Sequence, residues 1–112
     1  MSLNNLSKIF TISNIAGDEM ALQIAVDTMG PVAITINAGP DFQNYDSGVF
    51  NGECSQEPED ANHGMLIVGY NRSGWIVKNS WSTTWGEGGY IIFRKEMNAC
   101  GLANRPVVAY FN

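Results

Sequence analysis

Two side chains stand out for the chemistry they could do together. His63 is the single histidine in 112 residues, and Asn79 follows it in the next apolar run. An imidazole beside a side-chain amide suits a catalytic base whose ring is held in one orientation through its second nitrogen. The plain alternative is a lone histidine satisfied at the start of a strand, and residue type by itself favours that alternative.

The elements around the pair decide whether they can meet. Asn62-His63-Gly64-Met65-Leu66-Ile67-Val68-Gly69-Tyr70 is apolar and β-rich, and Asn71-Arg72-Ser73-Gly74 supplies turn chemistry. Trp75-Ile76-Val77-Lys78-Asn79-Ser80-Trp81 is the second run. Antiparallel pairing about that turn brings the two ends of a hairpin together, and His63 and Asn79 with them.

Composition bounds the rest. The chain is one domain's length, 45% apolar and 15% charged, which marks it as globular. A net charge of −5 with six scattered basic residues argues against nucleic acid, which needs a clustered basic footprint. No apolar run approaches the roughly 20 residues that cross a bilayer. Met1-Ser2-Leu3 opens no basic-then-apolar leader, and residues 1–9 read as a tail, an edge segment or an appended stretch. Cys54 and Cys100 lie far apart with no CxxC and no second histidine, so no metal-ligand set assembles and no cofactor is expected. One internal disulfide and a reduced pair both remain open on composition.

Along the chain, Phe10 to Ile15 alternates weakly as a short strand. Asp18 is a good N-cap for a helix with Leu22, Ala25, Val26 and Met29 on one face, ended by Gly30-Pro31. Val32, Ile34 and Ile36 mark a half-buried strand. From Asn37 to Asn62 the period is lost; Phe42, Tyr45, Val49 and Phe50 are expected to anchor this loop. Its acidic cluster, Glu53, Glu57, Glu59 and Asp60, shows no ligand spacing and reads as solvated. After the hairpin come a Gly-rich bend, a strand from Tyr90 to Arg94 and a last strand from Val107 to Phe111. The expected class is α+β, mainly β: a small antiparallel, barrel-like sheet of about five strands with one helix against it.

Several motifs stand together in one order. Gly30-Pro31-Val32, Tyr45-Asp46-Ser47-Gly48-Val49-Phe50, Asn62-His63-Gly64 and Val68-Gly69-Tyr70 come first. Trp75 to Trp81, Trp85-Gly86-Glu87-Gly88-Gly89-Tyr90 and Cys100-Gly101-Leu102-Ala103 follow. Over residues 10–112 the chain resembles the C-terminal, β-rich lobe of papain-like cysteine proteases of the cathepsin and papain type. That family folds into two lobes, with the nucleophilic cysteine and an oxyanion glutamine on the N-terminal one. The resemblance implies that His63 is the general base and acid, that Asn79 orients its ring, and that Trp81 shields the contact and lines the leaving-group side. It places Asn62, through its backbone groups, and Arg105, at the floor of the main specificity pocket, among substrate-binding residues. A cation at Arg105 would favour acidic or polar groups; an outward-turned Arg105 is the alternative. It also pairs Cys54 with Cys100 in a disulfide.

The departures set the functional expectation. Neither cysteine lies in a motif like that of the nucleophile, so this chain carries none. Gln23, Gln43 and Gln56 read as helix or loop residues, and Ser82 stands where the family usually has glycine. The chain is therefore expected to be half of a peptidase, inert alone, that hydrolyses peptide bonds when paired with a cysteine-bearing N-terminal lobe. Peptide or protein substrates and protein protease inhibitors are the further partners implied. A non-catalytic binding or regulatory module is the alternative. An isolated lobe would expose an apolar face and self-associate, dissolve poorly or hold a complementary chain. Family resemblance implies a lysosomal or secreted location.

Overall fold

The computed structural model describes residues 6–11 and 18–111, with side chains over 18–107. Strand β1 (Leu6–Thr11) is followed by helix α1 (Glu19–Met29), strand β2 (Val32–Ile36), the four-residue helix α2 (Pro40–Gln43) and strand β3 (Val49–Phe50). Strands β4 (His63–Tyr70), β5 (Trp75–Lys78), β6 (Tyr90–Phe93) and β7 (Val107–Phe111) complete the order.

Helix α1 starts where the sequence places its cap. Asp18 Oδ1 accepts the N–H groups of Met20 and Ala21, both at 3.1 Å, satisfying two donors that the first turn leaves unpaired. Gly30, at φ 89°, ends the helix in a conformation that glycine adopts without cost. Leu22 and Ala25 are buried, but Met29 is half exposed, contrary to the face assigned from spacing. The buried acid Glu19 takes a place on the inner face instead, because partners for its carboxylate lie beneath it.

One sheet joins the strands in the order β1-β7-β2-β4-β5-β6-β3. Its pairings are antiparallel apart from the short parallel pair of β3 with β6. β1 and β3 sit at opposite ends of that order, so the ladder curls without closing. The strand expected over 10–15 is β1, which begins at Leu6 and takes the edge position beside β7; residues 12–15 lie outside the described set. Helix α2 is an addition to the elements expected: Pro40 starts it, and it drops Phe42 into the core.

The register explains the burial pattern. Val32, Ile34 and Ile36 face the partners Ile67, Met65 and His63 across β2 and β4. Ile67 pairs with Val77, yet Tyr70 pairs with Trp75, so β4 holds one residue more than β5 between these pairs. That β-bulge lies at Val68 and Gly69 and exposes Val68. It allows Ile67 and Tyr70, three positions apart, to share the inner face, and Tyr70 packs edge-on against buried Trp75 at 5.6 Å.

Candidate functional site

His63 is the first residue of β4 and Asn79 follows the last residue of β5. His63, Met65 and Ile67 alternate onto the inner face of β4, as do Trp75, Val77 and Asn79 along β5. Extending the pairing of Leu66 with Lys78 sets Asn79 opposite Met65, which leaves His63 as its diagonal neighbour on the same face. His63 Nε2 and Asn79 Oδ1 are 2.8 Å apart.

A second contact fixes the roles of those atoms. Asn79 Oδ1 also accepts the Ser80 N–H at 2.8 Å. Exchanging the amide oxygen and nitrogen would point one donor at another, so the atom facing His63 is an acceptor. Nε2 must then carry a proton. In the neutral ring this leaves Nδ1 as the basic nitrogen. Asn79 is only 3% exposed, and its Nδ2 is a buried polar atom without a hydrogen bond among the described residues.

Aromatic rings wall the pair. Trp81 lies 5.0 Å from the His63 ring and remains 39% exposed, while Phe42 lies 5.7 Å from His63 and is fully buried. Phe42 also meets Trp81 at 5.4 Å and Trp85 at 4.9 Å, so a residue from helix α2 floors the site. Only its apolar character was legible in sequence.

The remaining residues singled out from sequence fall in different places. Asn62 donates its N–H to Ile36 O at 2.9 Å and exchanges two side-chain hydrogen bonds with the backbone of Ala38. Among the described residues its carbonyl accepts no turn or loop hydrogen bond. Arg105 lies exposed on the turn before β7 and is not among the residues lining the groove beside the histidine. Ser82 has no positive φ and caps its turn through Thr84 N–H at 3.3 Å, so serine in place of glycine brings no backbone strain. Gln23 contacts Lys95 and Gln56 donates to Met97 O at 2.7 Å; Gln43 is exposed on α2. Among the described residues no group of three His, Cys, Asp or Glu side chains could hold a metal ion.

A groove of about 780 Å³ opens next to the pair, over Thr35, Gly64, Leu66, Lys78, Ser80 and Trp81. A cleft of about 470 Å³ lies elsewhere, at the start of α1. Its wall includes Glu19, whose two oxygens accept Trp75 Nε1–H at 2.5 Å and the Asn98 N–H at 2.7 Å. Those bonds tie α1 to the turn carrying Asn98 and Cys100, both held at positive φ. Cys100 is bonded to Cys54 with a Cα–Cα distance of 5.2 Å, which decides between the two cysteine states left open by composition.

The family model for papain family cysteine proteases matches residues 2–110. The chain belongs to the papain family.

Cathepsin L of Sarcophaga peregrina is 50% identical over 95 residues, covering 78% of this chain and 27% of that protein. A cathepsin L-like protein of Caenorhabditis elegans is also 50% identical, over 97 residues, covering 80% of this chain and 28% of the relative. Among solved structures, a Carica candamarcensis cysteine protease in complex with E-64 superposes with a TM-score of 0.85 at 33% identity, covering 96% of this chain and 50% of that one. Digestive procathepsin L 3 of the Tenebrio molitor larval midgut gives 0.82 at 38% identity, covering 95% and 36%. This papain-family chain thus spans under a third of the curated relatives' length and half or less of these solved chains. The mainly β architecture with one long helix agrees with these papain-fold neighbours.

Proposed function

We propose that this chain is the histidine- and asparagine-bearing half of a papain-like cysteine peptidase, inert alone and active when joined to a lobe that carries the nucleophilic cysteine. The observation that carries this reading is the 2.8 Å contact of His63 Nε2 with an Asn79 oxygen already fixed by Ser80 N–H. It leaves Nδ1 as the group to face a thiol.

A thiol with a pKa of about 8.5 is mostly protonated at neutral pH, and a neighbouring imidazolium favours its thiolate. His63 Nδ1 takes the thiol proton, and the thiolate attacks the peptide carbonyl. The imidazolium then gives that proton to the leaving amine. Water, activated by the same nitrogen, releases the acyl group. Asn79 holds the ring without adding a carboxylate's charge. Trp81 shields the pair, and the Asn62 carbonyl offers an acceptor to a substrate N–H. Arg105, a solvent-facing cation, would draw acidic side chains once the cleft is assembled.

One feature supports a missing complement: both cysteines are consumed in the disulfide, so neither is left to act as the nucleophile. The disulfide also suits an oxidising, lysosomal or secreted setting. Without its complement the chain exposes Val68, Trp81 and the groove, and it is expected to self-associate, dissolve poorly or hold a complementary chain, which sedimentation reads.

The test is reconstitution. Alone, the chain is expected to take up no cysteine-directed epoxide and to cleave no peptide; co-expressed with a cysteine-bearing papain-family lobe, it is expected to yield peptidase activity that H63A lowers by about 10²–10⁴-fold. Labelling or activity of the chain alone, or activity of the pair indifferent to H63A, overturns the reading. A binding module would instead capture a peptide in the groove of the free chain with H63A unaffected.

A further inference from the structure

The far end of the hairpin carries chemistry that the peptidase reading does not use. Asn71-Arg72-Ser73 is an Asn-X-Ser triplet with X other than proline, the pattern that accepts an N-linked glycan on chains entering the secretory pathway. The triplet occupies the turn between β4 and β5, and all three residues are exposed.

The folded turn has room to carry a glycan, because it leaves the modified atom free. Asn71 Oδ1 accepts the Ser73 N–H at 2.7 Å and the Gly74 N–H at 3.2 Å, while Asn71 N–H donates to Gly74 O at 3.0 Å. With its oxygen engaged, the side-chain amide leaves its nitrogen uncommitted; among the described residues Nδ2 donates to no acceptor. Ser73 contributes its backbone N–H, and among the described residues its hydroxyl makes no hydrogen bond. Gly74 holds the tip on one path: at φ 153° a Cβ would lie 2.1 Å from Phe93 O.

We propose that Asn71 is an N-glycosylation site. Its Nδ2 attacks C1 of the first sugar of a lipid-diphosphate-linked oligosaccharide. The N–C1 bond forms, the C1–O bond to diphosphate breaks, the lipid diphosphate leaves with the bonding pair, and Nδ2 releases a proton. No redox partner is required. An eight-residue strand spans about 23 Å, so a glycan here stands a strand's length from His63 and leaves the groove open. A bulky hydrated glycan also forbids burial of the tip, so any complementary lobe docks away from it.

The site matters only in a chain that enters the secretory pathway, a setting that belongs to the functional reading above; the experiment supplies that entry, so its failure falls on the site alone. The chain, given a secretory leader, is translated with endoplasmic-reticulum microsomes, and translocation is verified by protection from added protease. A discrete upward gel shift is expected, removed by peptide N-glycosidase. The shift persists in N5Q, which removes the other triplet, Asn5-Leu6-Ser7. It is lost in N71Q and in S73A, and retained in S73T. The Ser73 variants leave the turn's backbone bonds in place, and the transfer precedes folding. A protected chain without the shift, or a shift that survives N71Q and disappears in N5Q, overturns the proposal.

Discussion

His63 Nε2 and Asn79 Oδ1 stand 2.8 Å apart at the open end of one hairpin, and the Ser80 N–H occupies the same oxygen at 2.8 Å. One backbone group thus sets the orientation of an amide, and the amide sets the tautomer of a ring.

The neutral His63 ring is expected as the Nε2–H form, read from nitrogen chemical shifts in long-range correlation NMR. A dominant Nδ1–H form would contradict the amide orientation. N79A frees the ring, and both tautomers then appear. In an assembled peptidase, N79A is expected to lower kcat by about 10–100-fold through misplacement. H63A, which would remove the proposed proton carrier, is expected to cost about 10²–10⁴-fold.

Glu19 is 8% exposed, with both oxygens engaged by Trp75 Nε1–H and Asn98 N–H. E19A strands two buried donors and is expected to destabilise the chain by about 2–5 kcal/mol. E19Q keeps one acceptor and costs less, about 1–3 kcal/mol. Urea unfolding followed by tryptophan fluorescence compares them. Equal losses for the two variants would show that packing, not the carboxylate, holds this contact.

Native protein is expected to show no free thiol to a disulfide-exchange reagent, since Cys54 and Cys100 are bonded. Their separation of 46 residues corresponds to about 4 kcal/mol of loop-closure entropy removed from the unfolded chain. The C54S/C100S double variant should therefore lower the denaturant midpoint markedly. Two reactive thiols in untreated protein would refute the pairing.

Tyr45 supplies a pH signature. Burial, with the Glu87 carboxylate adding to it, pushes its hydroxyl up to about 12 from 10.0. The folded state keeps the proton where the unfolded state has lost it. The contribution is therefore fully present below pH 10 and is lost as pH rises through 12. Tyr70 is raised too, first by its hydrogen bond to Asp27, and acts in the same direction. The wild type should lose more stability than Y45F between pH 10 and 12, the window that the shift defines. Parallel curves would remove Tyr45 from the account.

Much of this is legible in the sequence itself. Asp18 and Gly30 bracket α1 because capping is local chemistry, and the alternation of Val32, Ile34 and Ile36 fixes a buried face. The meeting of His63 and Asn79 follows from a turn and two apolar runs. What escaped depends on distant partners. Nothing near Glu19 in sequence announces Trp75 or Asn98, and nothing in the aperiodic loop shows that Phe42 lies under both His63 and Trp81. Helical period places Met29 on the inner face, but the last turn of α1 leaves it half exposed.

The extra residue at Val68 makes β4 unequal in its tolerance of length change. Removing it would yield a regular ladder in which Ile67 still meets Val77 and Tyr70 still meets Trp75. Removing Gly64, Met65 or Leu66 would rotate His63 to the opposite side of the sheet, away from Asn79. A one-residue deletion in this strand is thus survivable at the bulge and ruinous three residues earlier, so variation in hairpin length should collect between Ile67 and the tip.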